Sequence, residues 1–66
     1  MSAPHLTPRE RELLVNIASG SGEKQAARAM GLSQHTVKSY GKTLRAKFGV
    51  RNAVQLVAAA VLAGLA

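Results

Sequence analysis

The residues best suited to chemistry are clustered between positions 34 and 45. They are hydrogen-bonding and cationic side chains: Gln34, His35, Lys38, Ser39, Lys42 and Arg45. Lys and Arg bind guanine edges and phosphates, Gln pairs with adenine, and Ser and His make shorter contacts. The apolar residues between them recur at helical spacing and would take the opposite, buried face: Val37, Tyr40, Leu44 and Phe48. No acidic residue interrupts the polar face, so the pattern favours a nucleic-acid partner.

The charge of the whole chain agrees with that partner. Nine Lys and Arg against three acids give 66 residues a formal net charge of +6, and from position 24 onward the chain has seven basic residues and no acidic one. Such a block is typical of surfaces that bind nucleic acids, less often of those that bind anionic membranes. A solvated basic face serving solubility is the alternative. One Tyr and one Phe are too few for stacking on single strands, which favours double-stranded DNA.

Composition argues against catalysis and against metal or cofactor sites. The chain has no Cys, no Asp and two His, so we expect no disulfide, no metal site, no cofactor and no enzyme. The longest apolar run, 53–66, is too short to span a bilayer, and no secretory signal precedes residue 6. We therefore predict no membrane partner and a cytoplasmic, nucleoid-associated location.

Capping residues divide the chain into four helices, at about 8–19, 23–30, 34–47 and 53–63. Thr7, Pro8 and Glu10 form a capping box with proline at the first helical position. Ser33 and Asn52 are N-caps, while glycines end the second and third helices. The predicted fold class is an all-α four-helix bundle, with residues 1–66 as a single domain and 1–5 flexible.

The junction of the second and third helices has the spacing of a helix-turn-helix. Ala27 is small where the helices would cross, Gly31 can adopt positive φ in the turn, and Leu32, Val37 and Tyr40 would face inward. An ordinary helical corner would share much of this pattern. The basic outward face of the third helix favours the DNA-binding motif, with the N-terminal half of that helix in the major groove.

The fourth helix is apolar on all sides, which is typical of a buried or interface helix. One stripe is predicted to face the core: Val54, Val57, Ala58, Val61, Leu62 and Leu65. The opposite side would form a homodimer interface: Leu56, Ala59, Ala60 and Ala63. An alanine-rich surface helix without a partner is the alternative.

Four motifs together resemble the DNA-binding domain of the LuxR/FixJ/NarL transcription regulators, also called GerE-like. They are LTPRERE at 6–12, GLS at 31–33, TVKSY at 36–40 and KFGVR at 47–51. The resemblance covers nearly the whole chain and implies a third helix that reads DNA and a fourth that dimerises. It implies base contacts by Lys38, Ser39 and Lys42. It implies phosphate contacts by Lys24, Gln34, Thr36 and Arg45, beside which His35 is either a further phosphate contact or a plain polar residue.

The chain departs from the family pattern at four places. Ser21 and Gly22 replace an apolar residue and a Ser, Ala26 replaces an Ile, Gly41 replaces a bulkier apolar residue, and Ala53 stands where a basic residue is frequent. With Met1 as its natural start, the chain would resemble freestanding regulators without a sensing domain. An excised domain is the alternative.

These observations predict a sequence-specific transcription regulator that binds double-stranded DNA as a homodimer. A promoter-binding region like that of a σ factor, acting with RNA polymerase, is one alternative. A second is an interaction module that forms heterodimers with a larger regulator of the same family.

Overall fold

The computed structural model describes residues 4–64, which form four helices and contain no strand. The helices are α1 (Pro8–Ala18), α2 (Glu23–Met30), α3 (Gln34–Phe48) and α4 (Ala53–Leu62). Every boundary lies within one residue of its predicted position, and the all-α fold class is confirmed. Residues 1–3 of the segment predicted to be flexible lie outside the described residues.

The start of α1 has the capping box that the sequence predicts. The Glu10 amide donates to Thr7 Oγ1 at 3.2 Å, and the Thr7 amide donates to Glu10 Oε1 at 2.8 Å. These reciprocal bonds satisfy two backbone donors that the first turn leaves without helical partners. Pro8 occupies the first helical position, where no amide hydrogen is needed.

The turn between α2 and α3 follows from Gly31, whose φ of +68° lies in the left-handed region. This conformation ends α2 and lets the Leu32 amide donate to the Ala27 carbonyl at 2.9 Å. Ser33 then caps α3, because its Oγ accepts from the Thr36 amide at 3.1 Å. The predicted helix-turn-helix is confirmed, with Ala27 buried where α2 meets α3.

One hydrophobic core joins all four helices. It contains Leu13 and Leu14 of α1, the three residues Ala26, Ala27 and Met30 of α2, and residues of α3 and α4: Val37, Leu44, Leu56 and Ala60. Tyr40 and Phe48 are half-buried against it, as their spacing predicts. The core therefore turns the opposite, polar face of α3 to the solvent.

The predicted orientation of α4 is wrong. Leu56 and Ala60, which the sequence analysis assigns to a dimer interface, are fully buried in the monomer core. Val54, Val61 and Leu62, assigned to the core, are 80%, 56% and 89% exposed. Ala58 is also exposed, Val57 and Ala59 are half-buried, Ala63 is exposed at the C-cap, and Leu65 lies outside the described residues. The reason is that α4 packs on α1 and α3 through the face that carries Leu56, and Gln55, the one polar residue of α4, is too weak a signal to specify that face among aliphatic residues.

Candidate nucleic-acid interface

The solvent face of α3 brings together the residues that the sequence analysis selects. Those exposed on it are Gln34, His35, Lys38, Ser39 and Lys42. They share the face because a helix repeats every 3.6 residues, and Val37 and Leu44 occupy the core side. The structure thus leaves five hydrogen-bonding side chains of one helix in water.

Thr36 and Arg45 lie at the sides of this face and are half-buried. The Thr36 hydroxyl is 2.9 Å from Ser33 Oγ, so it already takes part in the cap of α3. The Arg45 guanidinium lies along the helix toward Gly41, where a side chain would meet its Nη1 at 3.3 Å. Both side chains therefore reach less far into solvent than Lys38 and Lys42.

The basic side chains of α3 differ in whether a carboxylate neutralises them. Lys47 Nζ lies 2.7 Å from Glu10 Oε1 and donates to the His5 carbonyl at 3.1 Å. Within residues 4–64, no carboxylate lies within 4.0 Å of Lys38, Lys42 or Arg45. These three cations are therefore available to an anionic partner, whereas Lys47 is engaged in holding α1 to α3.

The contact between Glu10 and Lys47 also sets the ionisation of Glu10. The hydrogen bond from Lys47 is the largest of the effects that hold the pKa of the Glu10 carboxyl below its ordinary value. The Thr7 amide adds to it, while burial acts in the opposite direction. The capping motif predicts the role of Glu10 at the start of α1 but not its contact with Lys47, because the two residues are 37 positions apart.

Lys24 lies on the exposed first turn of α2, outside the face of α3. Its helix packs against α3. No carboxylate within the described ranges lies within 4.0 Å of Lys24. Lys24 is therefore available to an anionic partner, and it lies on a different helix from Lys38, Ser39 and Lys42.

A second exposed surface is apolar and lies on α4. We call it the α4 stripe; it consists of Val54, Ala58, Val61 and Leu62. These residues recur at positions one and two turns apart, so they form one continuous strip. The whole of α4 contains no charged residue. An exposed apolar strip of this kind is a candidate interaction surface.

Other kinds of site lack support in this part of the chain. Between residues 4 and 64, no cluster of three His, Cys, Asp or Glu side chains has the geometry to hold a metal ion. None of the helices there has the length and apolar character needed to cross a bilayer.

Residues 4–60 match the family described as bacterial regulatory proteins, luxR family. The chain belongs to this family. It is 47% identical over 53 residues to the probable transcriptional regulatory protein SgaR of Hyphomicrobium methylovorum, covering 80% of this chain and 25% of SgaR. It is 35% identical over 52 residues to the transcriptional regulatory protein MctR of Rhizobium johnstonii, covering 79% of this chain and 24% of MctR.

Solved structures of the LuxR-type receptor VqmA of Vibrio cholerae have the same fold. A VqmA dimer without target DNA superposes with a TM-score of 0.90 at 39% identity, over 92% of this chain and 28% of VqmA. The VqmA complex with ligand and DNA also gives 0.90, at 37% identity, over 98% of this chain and 28% of VqmA. This LuxR-family chain therefore has the DNA-binding, helix-turn-helix part of a transcription regulator, and it spans about a quarter of the length of these relatives.

Proposed function

We propose that this LuxR-family chain binds double-stranded DNA sequence-specifically as a homodimer, with the N-terminal half of α3 in the major groove. The observation that carries the proposal is the solvent face of α3, where Lys38 and Lys42 are exposed and unpaired within residues 4–64. A major groove is wide enough to admit one helix. Water on such a face can be exchanged for base edges and phosphate oxygens without breaking a contact inside the protein.

Lys38, Ser39 and Lys42 are the proposed base-reading residues. All three are exposed, and they follow the first turn of α3, the part that enters the groove in helix-turn-helix proteins. Lysine ammonium groups donate to guanine O6 and N7, and a serine hydroxyl can donate or accept. Sequence preference would therefore be greatest at guanine steps facing the two lysines.

The proposed phosphate contacts surround these residues: Lys24, Gln34, His35, Thr36 and Arg45. Lys24 lies on α2 and Arg45 lies near the C-terminal end of α3, so the two would fix the angle of the helix in the groove. Thr36 can donate to a phosphate only while Ser33 donates to it, because the two hydroxyls share one hydrogen bond. We expect Thr36 to contribute less than the two cations.

The α4 stripe is the proposed dimer interface, in place of Leu56 and Ala60. Val54 and Leu62 are the most exposed large apolar residues of the chain described, and the small Ala58 between them allows two helices to approach closely. Two copies related by a two-fold axis would cover each other's stripe. Their half-sites would lie about one helical turn of DNA apart, or at the spacing that the dimer geometry imposes.

A second candidate uses the same stripe with a different partner. The stripe would equally cover the matching helix of a larger LuxR-family regulator, because it carries no charge that would select one partner. The chain would then form heterodimers. Strong binding of the purified homodimer to a two-fold symmetric site would count against this candidate.

The same proposal covers the role of the chain in transcription and its location in the cell. We propose that residues 1–66 act as one DNA-binding domain that regulates transcription without enzymatic activity. A DNA target would place it at the nucleoid in the cytoplasm, where its exposed surfaces would also meet RNA polymerase.

The decisive experiment selects binders from a randomised duplex pool, with sequencing, at two salt concentrations. Enrichment of a two-fold symmetric motif is expected, and its spacing would measure the separation of the recognition helices. Retention that falls steeply with salt but enriches no motif would contradict sequence-specific binding, since phosphate charge alone produces that behaviour.

A further inference from the structure

Thr43 is an exposed residue of α3 to which the proposed function assigns no contact. It lies one helical turn after Ser39 and directly after Lys42, so it borders the face that carries these two residues. Lys38 is one further position before Ser39, so the helix rises by only about 7.5 Å from Lys38 to Thr43. Thr43 therefore lies beside the residues proposed to read bases.

The hydroxyl group of Thr43 is engaged within the helix. Its Oγ1 donates to the Ser39 carbonyl at 3.2 Å. A threonine in a helix divides between two side-chain rotamers, and a hydrogen bond of this kind selects one of them. The direction of the methyl group is then fixed together with that of the hydroxyl, because Cβ carries both. Since the residue is exposed, a partner can contact a methyl group that is already held in one direction.

Methyl groups are scarce on the exposed side of α3. Among the exposed residues of this helix, all of which the structure describes, Thr43 and Ala46 carry one, and the others have polar or charged side chains: Gln34, His35, Lys38, Ser39, Lys42 and Lys47. Ala46 lies a further turn toward the C-terminal end of α3. Thr43 is thus the nearer of the two to the N-terminal half that would enter the groove.

We propose that Thr43 reads a thymine, through contact between its methyl group and the 5-methyl group of the base. This inference rests on the proposed function, because it requires α3 in the major groove. Thymine is the base that presents a methyl group in that groove, and a threonine methyl is one of the apolar groups that contact it. The thymine would lie next to the base pair read by Lys42, on the side away from the base pair read by Lys38.

A contact through the hydroxyl group of Thr43 is the competing role. The oxygen donates its proton to Ser39 but keeps the capacity to accept from the amino group of adenine or cytosine. The two roles depend on different atoms of the side chain. Thr43→Val retains a methyl group and removes the hydroxyl, whereas Thr43→Ser retains the hydroxyl and removes the methyl group.

The test uses the preferred site obtained from the randomised duplex pool. Each thymine of one half-site is replaced in turn by deoxyuridine, which lacks only the 5-methyl group, and affinities are measured by fluorescence anisotropy. Wild type is expected to bind about fourfold more weakly at one such position, the factor that corresponds to one methyl group lost from an apolar contact. Thr43→Val should retain this preference for thymine, and Thr43→Ser should bind both duplexes equally.

Ala46→Gly is the matched control, because it removes the neighbouring exposed methyl group and should leave the preference unchanged. Circular dichroism and Tm show that each variant is folded. A purely structural role of Thr43 would change the affinity for both duplexes by the same factor and would overturn the proposal. A preference that persists in Thr43→Ser, or that disappears in Thr43→Val or in Ala46→Gly, would overturn it as well.

Failure of this inference and failure of the proposed function give different results. A two-fold symmetric motif in which no deoxyuridine weakens binding would overturn the role of Thr43 and leave sequence-specific binding intact. Selection that enriches no motif would overturn both, because a thymine can be read only by a helix that lies in the groove.

Discussion

The exposed faces of α3 and α4 have opposite chemistry. The α3 face carries His35, Lys38, Ser39 and Lys42, all of which water can solvate. The α4 stripe carries only aliphatic side chains, with Leu62 89% exposed. Both helices bury their other side in one core, so the difference between them lies entirely in what they leave outside.

This difference indicates two kinds of partner. The α3 face is stable in water and gains by exchanging water and counterions for phosphate, which makes its binding reversible and dependent on salt. The α4 stripe gains about 25 cal/mol for each Å² of apolar surface that a partner covers, largely independently of salt. One surface is therefore suited to DNA and the other to a protein helix.

The largest expected effect follows from placing a charge in the α4 stripe. Leu62→Lys should make the protein monomeric, because a two-fold interface would bring two like charges together. Loss of the second half-site should then weaken binding to a paired site by roughly 10²- to 10⁴-fold. Analytical ultracentrifugation and fluorescence anisotropy on paired and single half-sites measure the two effects.

Val15→Lys is the matched control, because Val15 is 46% exposed on α1 and outside the stripe. It should leave dimerisation and DNA binding unchanged. A Leu62→Lys variant that still sediments as a dimer would show that α4 is not the interface.

Substitution of single basic residues should distinguish proposed base contacts from proposed phosphate contacts. Lys38→Ala should cost about 1–3 kcal/mol on the preferred site and relax the preference at one base pair. Lys24→Ala should weaken binding to preferred and scrambled duplexes by a similar factor, since phosphates carry no sequence information. Anisotropy titrations on both duplexes test this, and equal losses on both by both variants would contradict the assignment.

Removing the carboxylate that neutralises Lys47 should change both stability and DNA binding. Glu10→Gln should lower the free energy of unfolding by about 1–2 kcal/mol at pH 7, because a neutral amide replaces the carboxylate that accepts from Lys47 and from the Thr7 amide. It should also free Lys47 and so strengthen binding to scrambled DNA at low salt. Thermal unfolding and anisotropy measure the two effects.

The pH dependence of stability should follow the lowered pKa of Glu10. A carboxyl whose folded pKa lies below its unfolded one stabilises the fold above the unfolded value, ordinarily 4.5, and loses that contribution as pH falls through the folded value. Wild-type Tm should therefore decline below about pH 4.5 more steeply than that of Glu10→Gln. Glu12→Gln is the control, since Glu12 forms only an exposed pair with Arg9 at 3.4 Å. An identical acid profile for wild type and Glu10→Gln would contradict the inferred role of Glu10.

The smallest expected effect concerns the glycine inside α3. Gly41→Ala should raise the free energy of unfolding by about 0.5–1 kcal/mol, because alanine is the better helix former and the one close atom ends a flexible side chain. Gly31→Ala is the contrasting variant: with φ at +68° it should be destabilising. Thermal unfolding of both compares them, and a lower Tm for Gly41→Ala would show that Arg45 cannot move aside.

The helix boundaries and the polar face of α3 were predictable because the residues that specify them lie close together in sequence. Thr7 and Ser33 cap helices that start at the next residue, and Gly31 ends a helix by its own backbone conformation. The polar face of α3 follows from helical periodicity, since apolar residues recur there every three or four positions and polar residues fill the positions between them. Belonging to the LuxR family was likewise evident from motifs that lie within short segments.

The orientation of α4 was predicted wrongly, because the helix offers one polar residue, the exposed Gln55, as a marker of its outer surface among Ala, Val and Leu. Aliphatic residues lie on both faces, and the side that carries Leu56 is buried because it packs against α1 and α3.

Local sequence is enough to specify where each helix begins and ends to within one residue, which face of α3 is polar, and that basic charge dominates from residue 24 onward. These properties depend on bonds and periodicities that span a few residues. Packing between helices is needed to specify which apolar residues of α4 remain exposed and that Glu10 neutralises Lys47 across 37 positions. Such properties depend on which distant side chains meet in space, and packing of the whole core is what brings them together.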